Sequence, residues 1–148
     1  MADELDFLPR LMRMSTAISR GQVVQRATEA TGLTLDRPAM SILLTLAMAD
    51  GPLRVGEIAD RMQVVGPHVT RQVQALEQRG LVRRVADPSD RRASLIEATE
   101  TGAEAANRYT STIIGWFRDV VADWPAHDRS ELGRLLGKLA DDITNRLP

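Results

Sequence analysis

The chain reads as a mainly α-helical protein that carries one β-hairpin. Three features predict this. Apolar residues recur at intervals of three and four over most of the 148 positions. One pair of short β-compatible segments flanks an Asp/Pro/Ser-rich turn. Proline and glycine also fall where helices start and stop. With 43% apolar and 26% charged residues the composition is ordinary for a globular chain, which argues against wholesale disorder. The length suits one compact domain, or a domain with a small appendage.

Leu5, Leu8, Met12, Ser15 and Ile18 set a first amphipathic helix, expected to run to about Thr31 and to close at Gly32. A second helix starts near Thr34 or Asp36. It takes Pro38 into its first turn, where an amide would have no intrahelical acceptor anyway. Met40, Leu43, Leu44 and Ala47 are its expected buried stripe, and Asp50-Gly51-Pro52 ends it. A short third helix, 55–62, buries Val55, Ile58, Ala59 and Met62. In the fourth, Gly66 is the expected N-cap and Pro67 the first helical residue. Val69, Val73 and Leu76 fall within about 60° of one another on a helix of 3.6 residues per turn and face inward. Pro67, Arg71, Gln74 and Gln78 then face outward, and Gly80 stops the helix.

Residues 81–85 and 93–98 flank the turn 87–92, which gives a hairpin with an arginine-bearing tip. Thr99 can cap a fifth helix striped by Ile113, Trp116, Phe117, Val120 and Trp124 and broken at Pro125. Leu132, Leu135, Leu136, Leu139, Ile143 and Leu147 trace a sixth. With no internal repeat and no low-complexity linker, these pieces are expected to form one continuous domain.

Several function classes are disfavoured by what the chain contains. Without cysteine there are no disulfides, thiolate metal sites or thiol redox switches. His68 and His127 stand 59 positions apart and form no metal-ligand cluster. No Gly-rich phosphate loop and no nucleophile–histidine pair supports catalysis, so no enzyme is expected and no cofactor. The longest nearly apolar stretch, 38–49, has twelve residues and is too short to span a bilayer. Asp3, Glu4 and Asp6 open the chain where a secretory or transit signal would be basic or apolar, so a cytoplasmic location is the expectation.

Charge is unevenly placed. Net charge is −1, yet residues 54–92 hold eight arginines against five acids, which leaves a basic middle between acidic ends. That asymmetry is expected of a DNA-contacting module held in a separate scaffold. Short helix, turn, second helix and then hairpin is the order of a winged helix-turn-helix. The outward face of the fourth helix presents Thr70, Arg71 and Gln74 as donors to base edges or phosphates in a major groove that admits a helix. Arg71 is the best reader of guanine, because its planar fork matches O6 and N7 together. His68, in the first turn, is a candidate for a phosphate or base contact. Arg91 and Arg92 at the tip could reach the adjacent minor groove. Asp90 repels DNA, so its expected work is turn capping or arginine orientation.

Plainer readings stand beside these. Arg83 and Arg84 occupy adjacent strand positions and point to opposite faces, so at most one aids DNA binding. His127 reads as a helix-start residue. Trp116, Phe117 and Trp124 could line a ligand cleft, but such a stripe more often forms core or dimer interface. The core reading also wins for Met12, Met14, Met40 and Met48.

The run Val69-Thr70-Arg71, Leu76 to Arg84, Asp87-Pro88-Ser89-Asp90-Arg91-Arg92-Ala93 and Thr99 to Gly102 resembles the multiple-antibiotic-resistance regulator (MarR) family. Asp90-Arg91-Arg92 following the Gly80-Leu81-Val82 strand entrance is its most diagnostic part, and helix order agrees over about residues 5 to 146. The resemblance implies one MarR-type domain over 1–148, with a winged-helix lobe at about 34–99 and dimerisation helices at about 1–31 and 100–148. It implies an obligate homodimer joined by the first, fifth and sixth helices, with Arg71 on bases and Asp90 orienting Arg92 into the minor groove. It further implies a small phenolic or anionic effector that releases DNA. Three positions depart from the pattern. Arg54 stands where a hydroxyl usually caps the third helix and is expected to recover a phosphate contact. Val65 stands where serine is common, which leaves Gly66 to cap. His68 likewise replaces a small polar residue. The expected function is repression of a promoter by occupying a pseudo-palindromic operator. The rivals are an effector-independent winged-helix DNA binder and a protein-interaction module that has lost DNA binding.

Overall fold

The computed structural model describes residues 7–146; Leu5 and Leu147, assigned above to helix stripes, lie outside them. The elements run α1 (Phe7–Arg20), α2 (Val23–Ala30), α3 (Arg37–Ala47), α4 (Val55–Met62), α5 (Gly66–Gln78), β1 (Val82–Asp87), β2 (Asp90–Ala98), α6 (Glu100–Val120) and α7 (Ala126–Arg146). The fold is the expected mainly helical one with a single hairpin. Two compact units are distinguished, one up to Ile113 and one from Ile114 onward.

The first predicted helix is two helices. Gly21 donates its amide to Ala17 O at 2.8 Å and to Ile18 O at 3.3 Å, and the chain turns there. A β-carbon at Gly21 would come within 2.9 Å of the Ala17 carbonyl, so this tight exit suits glycine. Gly32 closes α2 as expected, at φ +70° and with its amide on Glu29 O.

Asp36 caps α3 by accepting the Ala39 amide at 2.8 Å, and Pro38 sits in the first turn. The buried stripe of α3 is Ala39, Met40, Ile42, Leu43 and Leu46. Ala47 is exposed, and Leu44 is only half-buried. The spacing 39, 42, 43, 46 sets the inward face, one residue round from the stripe expected. Helix α4 has the predicted bounds, with Ile58 and Ala59 buried and Val55 and Met62 packed against the core at its edge.

Ile42, Leu43, Ile58, Val69, Val73, Leu76, Leu81, Val82 and Ile96 are sealed from solvent and form the core under α3, α4, α5 and the hairpin. The hairpin pairs Val82 with Ala98 and proceeds to Ala86 with Ser94 before its register breaks. Asp87 then pairs with Asp90, so the connection is the two residues Pro88-Ser89. The tip is therefore tighter than the six-residue turn expected, and Arg91 and Arg92 lie on β2 just beyond it. Leu53 bridges Ile96 on the other side, with N–O distances of 3.0 and 2.7 Å.

Thr99 caps α6 as expected, accepting the Gly102 amide at 3.2 Å while donating to Gly80 O at 2.6 Å. Helix α6 ends at Val120, short of Pro125, so Trp124 is not on its stripe. Ala122 and Trp124 donate to Asp119 and Val121 in tight turns, and Arg129 Nη1 holds the Trp124 carbonyl at 2.7 Å. The residue before a proline is itself biased against helix. Trp116 and Phe117 pack edge to face at 4.8 Å between ring centroids. Helices α1 and α7 bury no residue within the single chain. Phe7, Leu8, Met12 and Met14 on α1, and Leu132, Leu135, Leu136 and Ile143 on α7, are exposed, as is Met48.

Candidate nucleic-acid interface

Helix α5 is fixed by its apolar side. Val69, Val73 and Leu76 are buried, which presents Pro67, Arg71, Gln74 and Gln78 to solvent as expected. Thr70 is half-buried and spends its hydroxyl on Gly66 O at 3.2 Å, so its proton is directed into the helix. His68 is also half-buried, with its amide on Val65 O at 3.1 Å. The N-cap is Val65, not Gly66, and it offers no side-chain acceptor. Its extended φ/ψ of −78°/142° is cap geometry, and Pro67 falls at the second helical position. Pro67 has no amide to give and the His68 amide is engaged, which thins out the free donors expected at this end.

The arginines of the basic segment divide into two groups. Arg83 pairs with Glu97, its cross-strand partner, at 2.6 Å, and Arg84 reaches Glu77 on α5 at 3.1 Å. Arg79 donates to Thr34 O at 2.7 Å. Neither strand arginine is thus left over for a ligand. Arg61, Arg71, Arg91 and Arg92 are exposed, and their side chains have no hydrogen-bond or ion-pair partner among the described residues. Three of these four are predicted DNA contacts. Asp90 is exposed and accepts the Arg92 backbone amide at 2.9 Å, which is the turn-capping alternative.

Arg54 departs most from its expected role. A guanidinium cannot accept a hydrogen bond, so at the N-cap of α4 it leaves the first-turn amides uncapped. Glu57 supplies the other half of a capping box by accepting the Arg54 amide at 2.7 Å. The Arg54 side chain instead turns to the wing, with Nε at 2.8 Å and Nη2 at 2.5 Å from Asp87 Oδ2. The other carboxylate oxygen accepts the Ser89 amide at 2.9 Å and the Ser89 hydroxyl at 2.7 Å. These bonds, the Ser89 hydroxyl first, hold the Asp87 carboxyl down at about 2, below its ordinary 3.8. Asp87 and Ser89 were not picked out from sequence as functional. An Asp-Pro-Ser turn does favour this side-chain-to-amide closure, but the partner lies 33 positions away at Arg54.

A cleft in the unit that ends at Ile113 is lined by Ile18, Val24, Arg37, Met40, Leu44 and Tyr109, among others, and holds about 420 Å³. The aromatic stripe named from sequence does not line it. No group of three or more His, Asp or Glu residues is placed to hold a metal among the described residues. No helix among them is long and apolar enough to cross a membrane.

A helix fixed by its apolar side, an exposed arginine on its outer face and a hairpin with two unpaired arginines define a winged helix-turn-helix module. Residues 35–94 match the sequence model of the MarR family. The chain is 28% identical over 126 residues to YxaD of Bacillus subtilis, an uncharacterized HTH-type transcriptional regulator, covering 85% of this chain and 87% of that one. A MarR family protein from Bacillus stearothermophilus superposes with a TM-score of 0.75 at 25% identity, covering 93% of each chain. MepR of S. aureus bound to an oligodeoxyribonucleotide superposes with a TM-score of 0.61 at 22% identity, covering 92% of this chain and 97% of that one. MepR bound to ethidium bromide gives a TM-score of 0.67 at 22% identity, covering 91% and 95%. YxaD is thus matched as an HTH-type transcriptional regulator, as is PecS of Dickeya dadantii at 25% identity over 146 residues, covering 96% of this chain and 87% of that one.

Proposed function

We propose that this chain is a homodimeric transcriptional regulator that places α5 in the major groove of a pseudo-palindromic operator and lays its wing along the neighbouring minor groove. The observation that carries the reading is the pairing pattern: the protein neutralises Arg54, Arg83 and Arg84 internally and leaves Arg71, Arg91 and Arg92 exposed and unpaired. Unpaired guanidinium groups on a helix and a hairpin tip are what phosphate and base-edge contacts require. The exposed apolar residues of α1 and of α7 favour a second copy as their cover, since a lone chain would leave them in water. MepR, captured with DNA, shares the fold.

The regulator acts by repression, and a small phenolic or anionic effector releases it. The cleft lined by Arg37, Tyr109, Met40 and Leu44 supports that choice, offering one cation and one phenol beside the hydroxyls of Ser19, Thr28 and Ser41 and an apolar wall. Release follows if the ligand favours a half-site separation that no longer matches about 34–36 Å along the duplex.

Arg71→Ala is expected to weaken binding to a selected operator by about 1–3 kcal/mol and to relax preference at the position read. Arg92→Ala is expected to weaken it too. A gel shift in which both variants match wild type would overturn the assignment. Melting shifts against a panel of phenolic and carboxylic acids test the effector, with Arg37→Ala expected to lose the shift.

A further inference from the structure

Outside the base-reading face, the Arg54–Asp87–Ser89 cluster joins the wing to the residue that precedes α4. We infer that Arg54 is a positioning residue that clamps the wing to the start of α4, so that Arg91 and Arg92 are held ready for DNA by a residue that itself touches none. This rests on the DNA-binding reading above and adds to it.

The chemistry is asymmetric. Asp87 has a side chain only 5% exposed and places an anion on a wing meant for a polyanion. Its cost is offset only if the carboxylate is saturated, and both of its oxygens are. One oxygen takes the guanidinium from α4, and the other closes the Pro88-Ser89 turn. The same carboxylate thus ties the wing tip both to itself and to the helix-turn-helix. Leu53, next to Arg54, bridges Ile96 on β2 and makes a second fastening. Between them lies the register break at Ala86 and Asp87, which leaves residues 91–93 without cross-strand partners. Two long cations on such a segment would lose much freedom on binding, and a fastened tip reduces that loss.

Charge alone predicts the opposite of a clamp. Asp87→Asn removes a negative charge close to DNA and should tighten binding if only the field counted. A clamp predicts a loss of about tenfold, the size expected for re-ordering one or two rotamer-rich side chains. Arg54 as an independent phosphate ligand predicts that Arg54→Ala and Arg92→Ala add. Arg54 acting through the wing predicts that the double variant binds within about twofold of Arg92→Ala alone.

The test has two arms on the full chain. Hydrogen exchange on free protein should show the amides of 89–93 exchanging faster in Arg54→Ala, in Ser89→Ala and in Asp87→Asn. The core amides of α3 and α5 should stay as in wild type, which verifies folding, and Arg54→Lys should recover part of the protection. Fluorescence anisotropy against an operator fragment should show the loss for Asp87→Asn and the non-additive pair. Unchanged wing exchange, tighter binding by Asp87→Asn or an additive pair each overturns the clamp. Failure of wild type to bind any genomic fragment overturns the DNA-binding reading instead, and the exchange arm still decides whether Arg54 fastens the wing.

Discussion

Asp87 takes hydrogen bonds from two segments that are far apart in the chain, so its ionisation reports on whether the wing is closed. Its native value near 2 lies below the unfolded 3.8, so the closed wing adds stability above about pH 4 that is lost as pH falls through about 2. A carbon-detected NMR titration should place the Asp87 midpoint near 2 in wild type. In Ser89→Ala it should climb towards 3.8, because the Ser89 hydroxyl is the largest single cause of the depression. An unmoved midpoint would show that the hydroxyl does not hold the carboxylate. At the same scale, Arg54 shows why its role escaped sequence reading. Its residue type suggested phosphate, and only the fold reveals that an anion of its own chain is already there.

Helix ends decide where the reading residues point. Val65 has N-cap dihedrals without a cap side chain, so Val65→Ser should add up to about 1 kcal/mol by sharing the His68 amide, since Pro67 has none to give. Chemical denaturation would register this as a higher midpoint with unchanged slope, and a lower midpoint would contradict the cap geometry. Gly102 is held by a different constraint. A β-carbon there would sit 1.9 Å from the Leu81 carbonyl oxygen, which also accepts the Thr99 amide. Gly102→Ala should therefore cost about 3 kcal/mol or more by forcing α6 off the strand entrance. A melting temperature within a degree or two of wild type would contradict this.

Across the molecule, the parts legible in the sequence were those set by local periodicity and by special backbone residues. Val69, Val73 and Leu76 faced inward, α4 had its predicted bounds, and Thr99, Gly32 and Gly80 sat at the helix ends assigned to them. What escaped depended on neighbours distant in sequence. The inward face of α3 follows from what packs on it, so periodicity alone favours Leu44 and Ala47 where the fold buries Ile42 and Leu46. The division of the first helix turned on how closely Gly21 approaches Ala17, and a lone glycine within an amphipathic stretch gives only a weak hint of that. Sorting the arginines into paired and unpaired required the tertiary positions of Asp87, Glu97 and Glu77. A two-fold pair reading a two-fold site underlies the proposed function. Sequencing the fragments that the purified protein retains from its own genome tests this most directly. The expected result is one enriched motif with half-sites related by a dyad and centred about one helical turn apart, bound less tightly as salt rises. Fragments without a shared motif, or retention indifferent to salt, would contradict it.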